Sequence, residues 1–159
     1  MDVMDGLKRS LQTQTQADCS YLRRVIEQIH CTFEKITPYI TPPQPPLNYG
    51  RNIIFRTDLF EAIVLNLPGH TETPIHDHGE SIGCVYVVSG TVLNKVCTIP
   101  SHLRVPVLSE EKRYQSGEFI HINRGQIHSM HNPEQERLIS FHIYSPPLKG
   151  TNTYTLPSS

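Results

Sequence analysis

Histidine spacing is the feature of this sequence that most directly suggests chemistry. His76 and His78 flank Asp77, and residues two apart on a β-strand project from the same face. Two imidazoles placed in this way can share one metal ion. A third ligand is expected from a neighbouring strand, and the segment 117–132 offers His121, His128 and His131.

A second group of polar residues lies near the C-terminal end. Ser140, His142 and Tyr144 alternate along a β-rich run, so all three side chains face the same way. On a buried face they would form a hydrogen-bonded row that fixes the tyrosine hydroxyl. Arg51 stands just after Tyr49 near the start of the β-rich region, and its guanidinium could grip a carboxylate through two parallel hydrogen bonds.

Short β-strands must position these residues. Turn signals such as Ser89-Gly90 and Ser116-Gly117 separate the apolar runs between Arg51 and Tyr144. The runs are NIIFR, FEAIVLN, GCVYVVSG, TVLNKVC, EFIHI and RLISFHIY. Many short strands at this spacing predict an all-β sandwich or barrel.

The first third of the chain has helical periodicity instead. One apolar stripe predicts a helix with Asp18 as its N-cap, and a weaker helix is predicted over residues 7–11. The stripe consists of Tyr21, Leu22, Val25, Ile26, Ile29 and Phe33. Pro38 requires the helix to end by Thr37, and the prolines of residues 38–46 predict a stiff, extended connector. This connector is expected to wrap the helical part onto the next element, with a ligand for an SH3-like partner as the alternative.

These elements together predict a single domain over residues 1–159. The N-terminal helices cover residues 1–37, the proline-rich connector 38–48 and the β-barrel 49–147. The polar tail, residues 148–159, is expected either to wrap the surface or to be loose.

Composition narrows the partners and the location. Fourteen basic and fifteen acidic residues give a net charge of −1 without a basic stripe, so no nucleic-acid partner is expected. The sequence has neither an apolar stretch of about 18 residues for a membrane span nor an N-terminal signal peptide. The cysteines are widely scattered and predict free thiols in a reducing compartment. They are Cys19, Cys31, Cys84 and Cys97. We therefore expect a cytoplasmic protein, acting as a monomer.

Two segments resemble the signature motifs of the cupin superfamily. In the first, Gly69 precedes the pair His76 and His78, and Gly90 ends the motif. The second motif has the cupin spacing throughout, with an asparagine in place of its proline. It comprises Gly117, Asn123, Gly125, His128 and Asn132. The resemblance implies a jelly-roll barrel and selects His128 as the third ligand, leaving His121 and His131 as structural or surface histidines.

The first motif departs from the cupin pattern at one position. Counting back from Gly90, the glutamate that normally completes a carboxylate-bearing site is replaced by Gly83. The implied site has three neutral histidines and leaves the charge of a divalent metal to be neutralised by substrate anions. A thiolate suits this role, since its softness matches a mid-row metal held by imidazoles.

Residues 49–147 resemble the type I cysteine dioxygenases, and the wording HDHGESIG is similar to the bacterial branch. The resemblance rests on the H-D-H pair, a Y-x-R-N segment and an S-x-H-x-Y-S-P-P end. It implies that L-cysteine is oxidised by O2 to cysteine sulfinate at one Fe(2+) ion. The implied iron ligands are His76, His78 and His128. Arg51 would hold the cysteine carboxylate and Tyr49 would line that end. Tyr144 would sit beside the thiol and dioxygen, oriented by His142, which Ser140 supports.

One family feature is absent, and three alternatives remain open. The cysteine that forms a thioether with the active-site tyrosine in mammalian members is replaced by Gly83, and alternation sends Cys84 to the opposite face, so no crosslink to Tyr144 is expected. The resemblance also suggests a cis Ser145–Pro146 bond. The nearest alternative is 3-mercaptopropionate dioxygenase, a family that typically has glutamine where Arg51 stands. The others are a non-catalytic metal-binding cupin and a zinc or manganese isomerase.

Overall fold

The computed structural model describes residues 2–11 and 17–156, and within them ten strands form two five-stranded antiparallel sheets. The strands are β1 Gly50–Arg56, β2 Glu61–Leu67, β3 Ile75–His76, β4 Ile82–Ser89, β5 Thr91–Thr98, β6 Val107–Gln115, β7 Phe119–Ile122, β8 Ile127–His131, β9 Leu138–Ser145 and β10 Thr153–Tyr154. The first sheet has the order β1-β2-β9-β4-β7 and the second β10-β3-β8-β5-β6. The predicted all-β cupin barrel with a small N-terminal helical segment is confirmed.

Three short helices precede the strands, and each begins at a polar N-cap. They are α1 Val3–Ser10, α2 Cys19–Ile29 and α3 Phe33–Ile36. The predicted cap at Asp18 is confirmed, since its carboxylate accepts a hydrogen bond from the Tyr21 amide at 2.8 Å. The inclusion of Phe33 in one continuous helix was wrong. His30 adopts a left-handed conformation with φ 56° that ends α2, and Phe33 starts α3 with its side chain exposed.

The first sheet is covered on both faces, which explains the nearly continuous burial of β2 and β9. One face packs against α1 and α2 through residues that include Val64, Cys84 and Phe141. The other face packs against the second sheet, where Ile63 and Met130 share one core. The N-terminal helices therefore cover the outer face of the first sheet, and the second sheet covers its inner face.

The connector departs from the predicted extended conformation at both ends. Thr37–Tyr39 forms a turn of 3₁₀-helix, and the amide of Leu47 donates to the carbonyl of Gln44 in a second turn. Between them, the side-chain amide of Asn66 donates to the carbonyl of Thr41 at 3.0 Å. Hydrogen bonds to the first sheet therefore hold this segment in place. Its proline content alone predicted a stiff, extended connector throughout.

The sheet extends beyond the predicted barrel boundary at residue 147. Thr153 of β10 pairs with His76 of β3, so the C-terminal residues wrap the barrel. The Ser145–Pro146 bond is cis, as the family resemblance suggested. Within the described residues, no helix has the length and apolar character needed to cross a membrane.

Candidate metal centre

Two strands and the loop after one of them bring three histidines together. His76 in β3 is the cross-strand partner of His128 in β8, and His78 follows two residues after His76. The three ring centroids lie 4.7–4.8 Å apart. Their potential ligand atoms all lie within 4.8 Å of one another, and His78 and His128 are each 1% exposed. This is the arrangement expected of side chains that share one metal ion.

Hydrogen bonds to the Nδ1 atoms determine which nitrogen of each ring is free. Nδ1 of His76 lies 2.7 Å from the carbonyl oxygen of Pro74, and Nδ1 of His78 lies 3.2 Å from that of Gln126. Nδ1 of His128 lies 2.8 Å from Oδ1 of Asn94. Because carbonyl oxygens only accept, each Nδ1 carries the proton and each Nε2 keeps its lone pair.

The Nε2 atoms of His78 and His128 are buried and have no hydrogen-bond partner in the part of the chain that the structure describes. Buried polar nitrogens rarely lack a partner, so two such atoms beside a third imidazole fit the ligands of a metal ion well. The cupin motif contains no counterpart of Asn94. The alternation of β5 could have identified it, because Asn94 lies on the same buried side as Val92.

The site keeps its imidazoles neutral. Burial lowers the pKa of His76, and burial with the nearby His76 lowers that of His78 to about 4. Burial, together with His78 and His76, holds the pKa of His128 well below its ordinary value. Neutral rings at neutral pH are the form that binds metals.

Among the described residues, the cluster contains no carboxylate. Gly83 occupies the position where the cupin glutamate was expected. It lies opposite Tyr144 between β4 and β9, and a Cβ atom there would be 2.6 Å from the tyrosine ring. Asp77 turns its carboxylate towards the C-terminal residues. Partial burial acts to raise the pKa of Asp77, but hydrogen bonds from Tyr154, Asn152 and Gly79 outweigh it and lower the pKa to about 2.

The predicted row of polar side chains on β9 is confirmed. Ser140 Oγ lies 2.7 Å from Nε2 of His142, and Nδ1 of His142 lies 2.9 Å from the hydroxyl of Tyr144. The Tyr144 ring stacks on His78 with centroids 5.6 Å apart and planes 22° apart. The row therefore ends directly beside the three histidines.

The burial of Ser140 at one end of this row determines which atom donates in each hydrogen bond. Ser140 is fully buried, and within the described residues its hydroxyl has no partner besides His142. The hydroxyl must therefore donate to Nε2, which leaves the His142 proton on Nδ1 to be donated to the Tyr144 oxygen. The Tyr144 proton is then free to be donated to a ligand. Burial lowers the pKa of His142 to about 3 and raises that of Tyr144, so both groups stay neutral.

A cavity of about 430 Å³ opens beside the histidines. Polar side chains from β1, β3 and β9 line it together with an apolar wall. The lining includes Tyr49, Arg51, His76, His78, His142, Tyr144, Ile63, Leu65, Met130 and Leu148. Arg51 forms no ion pair and no side-chain hydrogen bond with any described residue. Burial raises the pKa of the neighbouring Tyr49, an effect that Arg51 partly offsets.

The two remaining candidate histidines lie away from the cluster. His121 is exposed on β7, and Nδ1 of His131 lies 4.0 Å from a carboxylate oxygen of Glu72. Neither belongs to the group of converging ligand atoms. The structure therefore places His128, the histidine that the cupin spacing selected, beside His76 and His78. Cys84, in turn, lies in the core shared with the helices, on the side of β4 opposite Tyr144.

Comparison with known proteins agrees with this geometry. A family model described as cysteine dioxygenase type I matches residues 45–156. Among solved structures, the chain is similar to an uncharacterized conserved protein with a double-stranded β-helix domain from Klebsiella pneumoniae. The two share 16% identity and a TM-score of 0.61, and the match covers 76% of this chain and 95% of that one.

Two further structures show the same fold. The cupin domain of Cnp3 from Schizosaccharomyces pombe has 16% identity and a TM-score of 0.57, with 69% of this chain and 71% of that chain covered. An oxalate decarboxylase from Lactobacillus farciminis in complex with formate has 18% identity and a TM-score of 0.60, with 74% and 34% covered. At these identities the likeness establishes the double-stranded β-helix fold and nothing further.

Proposed function

Because this chain belongs to the cysteine dioxygenase type I family, we propose that it oxidises the thiol of L-cysteine with O2 to cysteine sulfinate. His76, His78 and His128 are the proposed ligands of one iron(II) ion. The observation that carries the proposal is the guanidinium of Arg51, which has no ion-pair or hydrogen-bond partner among the described residues and lines the same cavity as His76 and His78. A cation there suits a substrate that carries both a thiol and a carboxylate.

The three histidines set the charge requirement of the site. All three are neutral, so a divalent ion bound to them attracts anionic substrate groups. Held by these three histidines, iron(II) would supply Lewis acidity towards the thiol and one-electron chemistry towards dioxygen. Both oxygen atoms end on sulfur, and the electrons that sulfur loses reduce the dioxygen, so no outside reductant is consumed.

Arg51 and Tyr49 are the proposed carboxylate-binding residues. A guanidinium can form two parallel hydrogen bonds to a carboxylate, and such a pair would fix the orientation of the substrate as well as strengthen its binding. Tyr49 is half-buried beside Arg51 and closes that end of the cavity. With the carboxylate fixed there, the other end of the same small molecule can reach the histidines.

Tyr144 is the proposed hydrogen-bond donor at the reacting atoms. Its hydroxyl accepts a hydrogen bond from the Nδ1–H of His142 and would donate its own hydrogen bond to the substrate sulfur or to an oxygen atom. His142 and Ser140 act through Tyr144 and orient its hydroxyl. Neither residue needs to change its charge, which agrees with the low pKa of His142.

The cellular setting follows the same reasoning. The four cysteines are free thiols, three of them buried, which suits a reducing compartment such as the cytoplasm. Both proposed reactants are small molecules, so turnover requires no macromolecular partner. We propose that the protein acts there as a monomer.

Oxygen uptake after anaerobic loading with iron(II) tests the proposal. We expect L-cysteine to drive oxygen uptake and sulfinate formation faster than 3-mercaptopropionate does. Arg51→Gln should raise KM for L-cysteine by about tenfold or more, since a charged hydrogen-bonded pair contributes about 1.5–3 kcal/mol. Arg113→Gln is the matched control, because Arg113 forms an exposed ion pair with Glu134 and neither residue lines the cavity.

Each alternative predicts a different result. Faster turnover of 3-mercaptopropionate would favour that dioxygenase activity. Metal binding without oxygen uptake for any small thiol would favour a non-catalytic cupin. Zinc or manganese in the purified protein, with no activity after iron loading, would favour an isomerase.

A further inference from the structure

The C-terminal residues 148–154, here called the strap, are tied to the segment that carries two of the histidines. Oδ1 of Asp77 accepts hydrogen bonds from the amides of Asn152 at 3.0 Å and Gly79 at 3.1 Å. Oδ2 accepts from the side chain of Asn152 at 3.0 Å and from the hydroxyl of Tyr154 at 2.7 Å. The amide of Asp77 also donates to the Asn152 carbonyl at 3.0 Å. One carboxylate therefore joins the strap to the turn after His76.

Two further contacts hold the strap against the barrel. Gly79 has a φ of +59°, and a Cβ atom there would lie 2.3 Å from the carbonyl oxygen of Lys149, so only glycine allows this approach. At the other end of the strap, the amide of Leu148 donates to Oε1 of the buried Glu61 at 3.2 Å. The strap is thus fixed at both ends, with Asp77 as the partner of its central and C-terminal residues.

The strap also forms part of the cavity. Leu148, Thr151 and Thr153 line the cavity beside His76 and Tyr144. Leu148 is partly buried against the core that contains Tyr144, whereas the two threonines are exposed at the mouth. A cavity of about 430 Å³ has room for molecules much larger than cysteine. Volume alone therefore does not restrict the site to small thiols, whereas the strap residues at its opening can do so.

We propose that the strap selects ligands by size at the entrance to the three histidines, and that Asp77 is the positioning residue that holds it closed. This inference rests on the proposed function for the nature of the substrate. The physical reason is that Asp77 is a charged acceptor of four hydrogen bonds, and such bonds are about twice as strong as neutral ones. Loosening them frees the threonines at the mouth while the three histidines stay in place.

Tyr154→Phe is the most selective test variant. It removes the 2.7 Å bond to Asp77 at a residue that does not line the cavity. Asp77→Asn is a stronger variant, because it sets an amide donor against the side-chain amide of Asn152. Tyr86→Phe is the matched control, because Tyr86 packs against Phe119 on the helix side of the first sheet and its hydroxyl forms no hydrogen bond with a described residue.

Three measurements report on the mobility of the strap and on its effect at the entrance in these variants. In Tyr154→Phe we expect amide hydrogen exchange in residues 148–154 to accelerate by about tenfold, from the loss of one charged hydrogen bond. Removal of bound cobalt(II) by EDTA, a bulky chelator, should accelerate similarly while the cobalt affinity stays unchanged. The ratio of kcat/KM for L-cysteine to that for glutathione should fall several-fold. Tyr86→Phe should change none of the three.

Leu148→Ala provides a second variant that leaves the Asp77 contacts intact. It should relax the discrimination between L-cysteine and glutathione without accelerating exchange in the strap. Faster exchange with an unchanged rate of cobalt removal and unchanged discrimination would overturn the strap as a size filter. Unchanged exchange in both Tyr154→Phe and Asp77→Asn would overturn the role of Asp77. If the wild-type protein binds cobalt but oxidises no thiol, the proposed function fails, and the exchange and chelator measurements still decide the role of the strap.

Discussion

Replacing Gly83 by alanine is expected to displace the Tyr144 ring without removing any group from the cavity. The added Cβ atom would lie 2.6 Å from Cδ1 and 2.7 Å from Cε1 of Tyr144. Carbon atoms normally approach to about 3.5–4.0 Å, so the atoms must separate by about 1 Å. Gly83 and Tyr144 are cross-strand partners, and β4 and β9 each have paired neighbours on both sides. The ring therefore takes most of the movement.

A movement of this size is large compared with the contacts of Tyr144. Its hydroxyl lies 2.9 Å from Nδ1 of His142, and a hydrogen bond is lost beyond about 3.5 Å. A misplacement of about 1 Å typically costs about 100-fold in rate. Overpacking of this kind also lowers the free energy of unfolding by about 1–3 kcal/mol. We expect both effects in Gly83→Ala, with the rate loss in kcat.

The assay combines turnover with urea unfolding. After anaerobic loading with iron(II), kcat and KM for L-cysteine are compared between Gly83→Ala and wild type. Cys84→Ala is the matched control, because its side chain lies on the helix side of β4 and its loss should cost about 1 kcal/mol of stability with kcat retained. Wild-type kcat in Gly83→Ala would refute the view that β4 confines the Tyr144 ring.

Three further results are expected. Ser140→Ala removes the donor that fixes the His142 tautomer, so kcat should fall about tenfold with little change in KM, since an unsatisfied buried group costs about 1–3 kcal/mol; Ser145→Ala should leave kcat unchanged. Asn94→Leu leaves Nδ1 of His128 without its acceptor, so cobalt(II) titration should show affinity about 10–100-fold weaker, and an unchanged Kd would contradict the tautomer assignment. The folded-state pKa of His142 is about 3, below its ordinary value of about 6.5, so the unfolded chain binds the extra proton between these values. The free energy of unfolding of the metal-free protein should therefore be highest above pH of about 6.5 and should fall as the pH drops towards 3. His142→Gln should flatten this dependence by about one proton, and an unaltered slope would exclude His142 as a contributor.

Local patterns predicted the parts of the molecule that repeat a short-range rule. The alternation of Ser140, His142 and Tyr144 follows from the geometry of any strand, so the sequence alone predicted that these side chains share a face. The His76 and His78 pair also converges, but β3 ends at His76 and His78 lies in the loop that follows, so strand alternation is not what places it there. The cupin spacing added the one long-range fact that alternation lacks, namely that His128 lies beside His76.

Other elements carry no such local pattern. β6 pairs only with β5 at the edge of its sheet, and most of its side chains are exposed, so its sequence shows no apolar alternation. The end of α2 depends on His30 in a left-handed conformation that glycine usually adopts, so no local stop signal marks it. The bonds between Asp77 and Asn152 join residues far apart in sequence, and only the pairing of β10 with β3 brings them together.

The closed end of the β9 row restricts how protons can travel through the protein. A hydrogen-bonded chain that conducts protons needs a proton donor at one end and a proton acceptor at the other, whereas Ser140 is fully buried in the core. Reversing both hydrogen bonds of the row would leave the Ser140 hydroxyl proton without an acceptor among the described residues and cost about 1–3 kcal/mol. The row therefore works as a fixed dipole. The route that remains for a proton released in the cavity is its opening to bulk water, which Thr151 and Thr153 line.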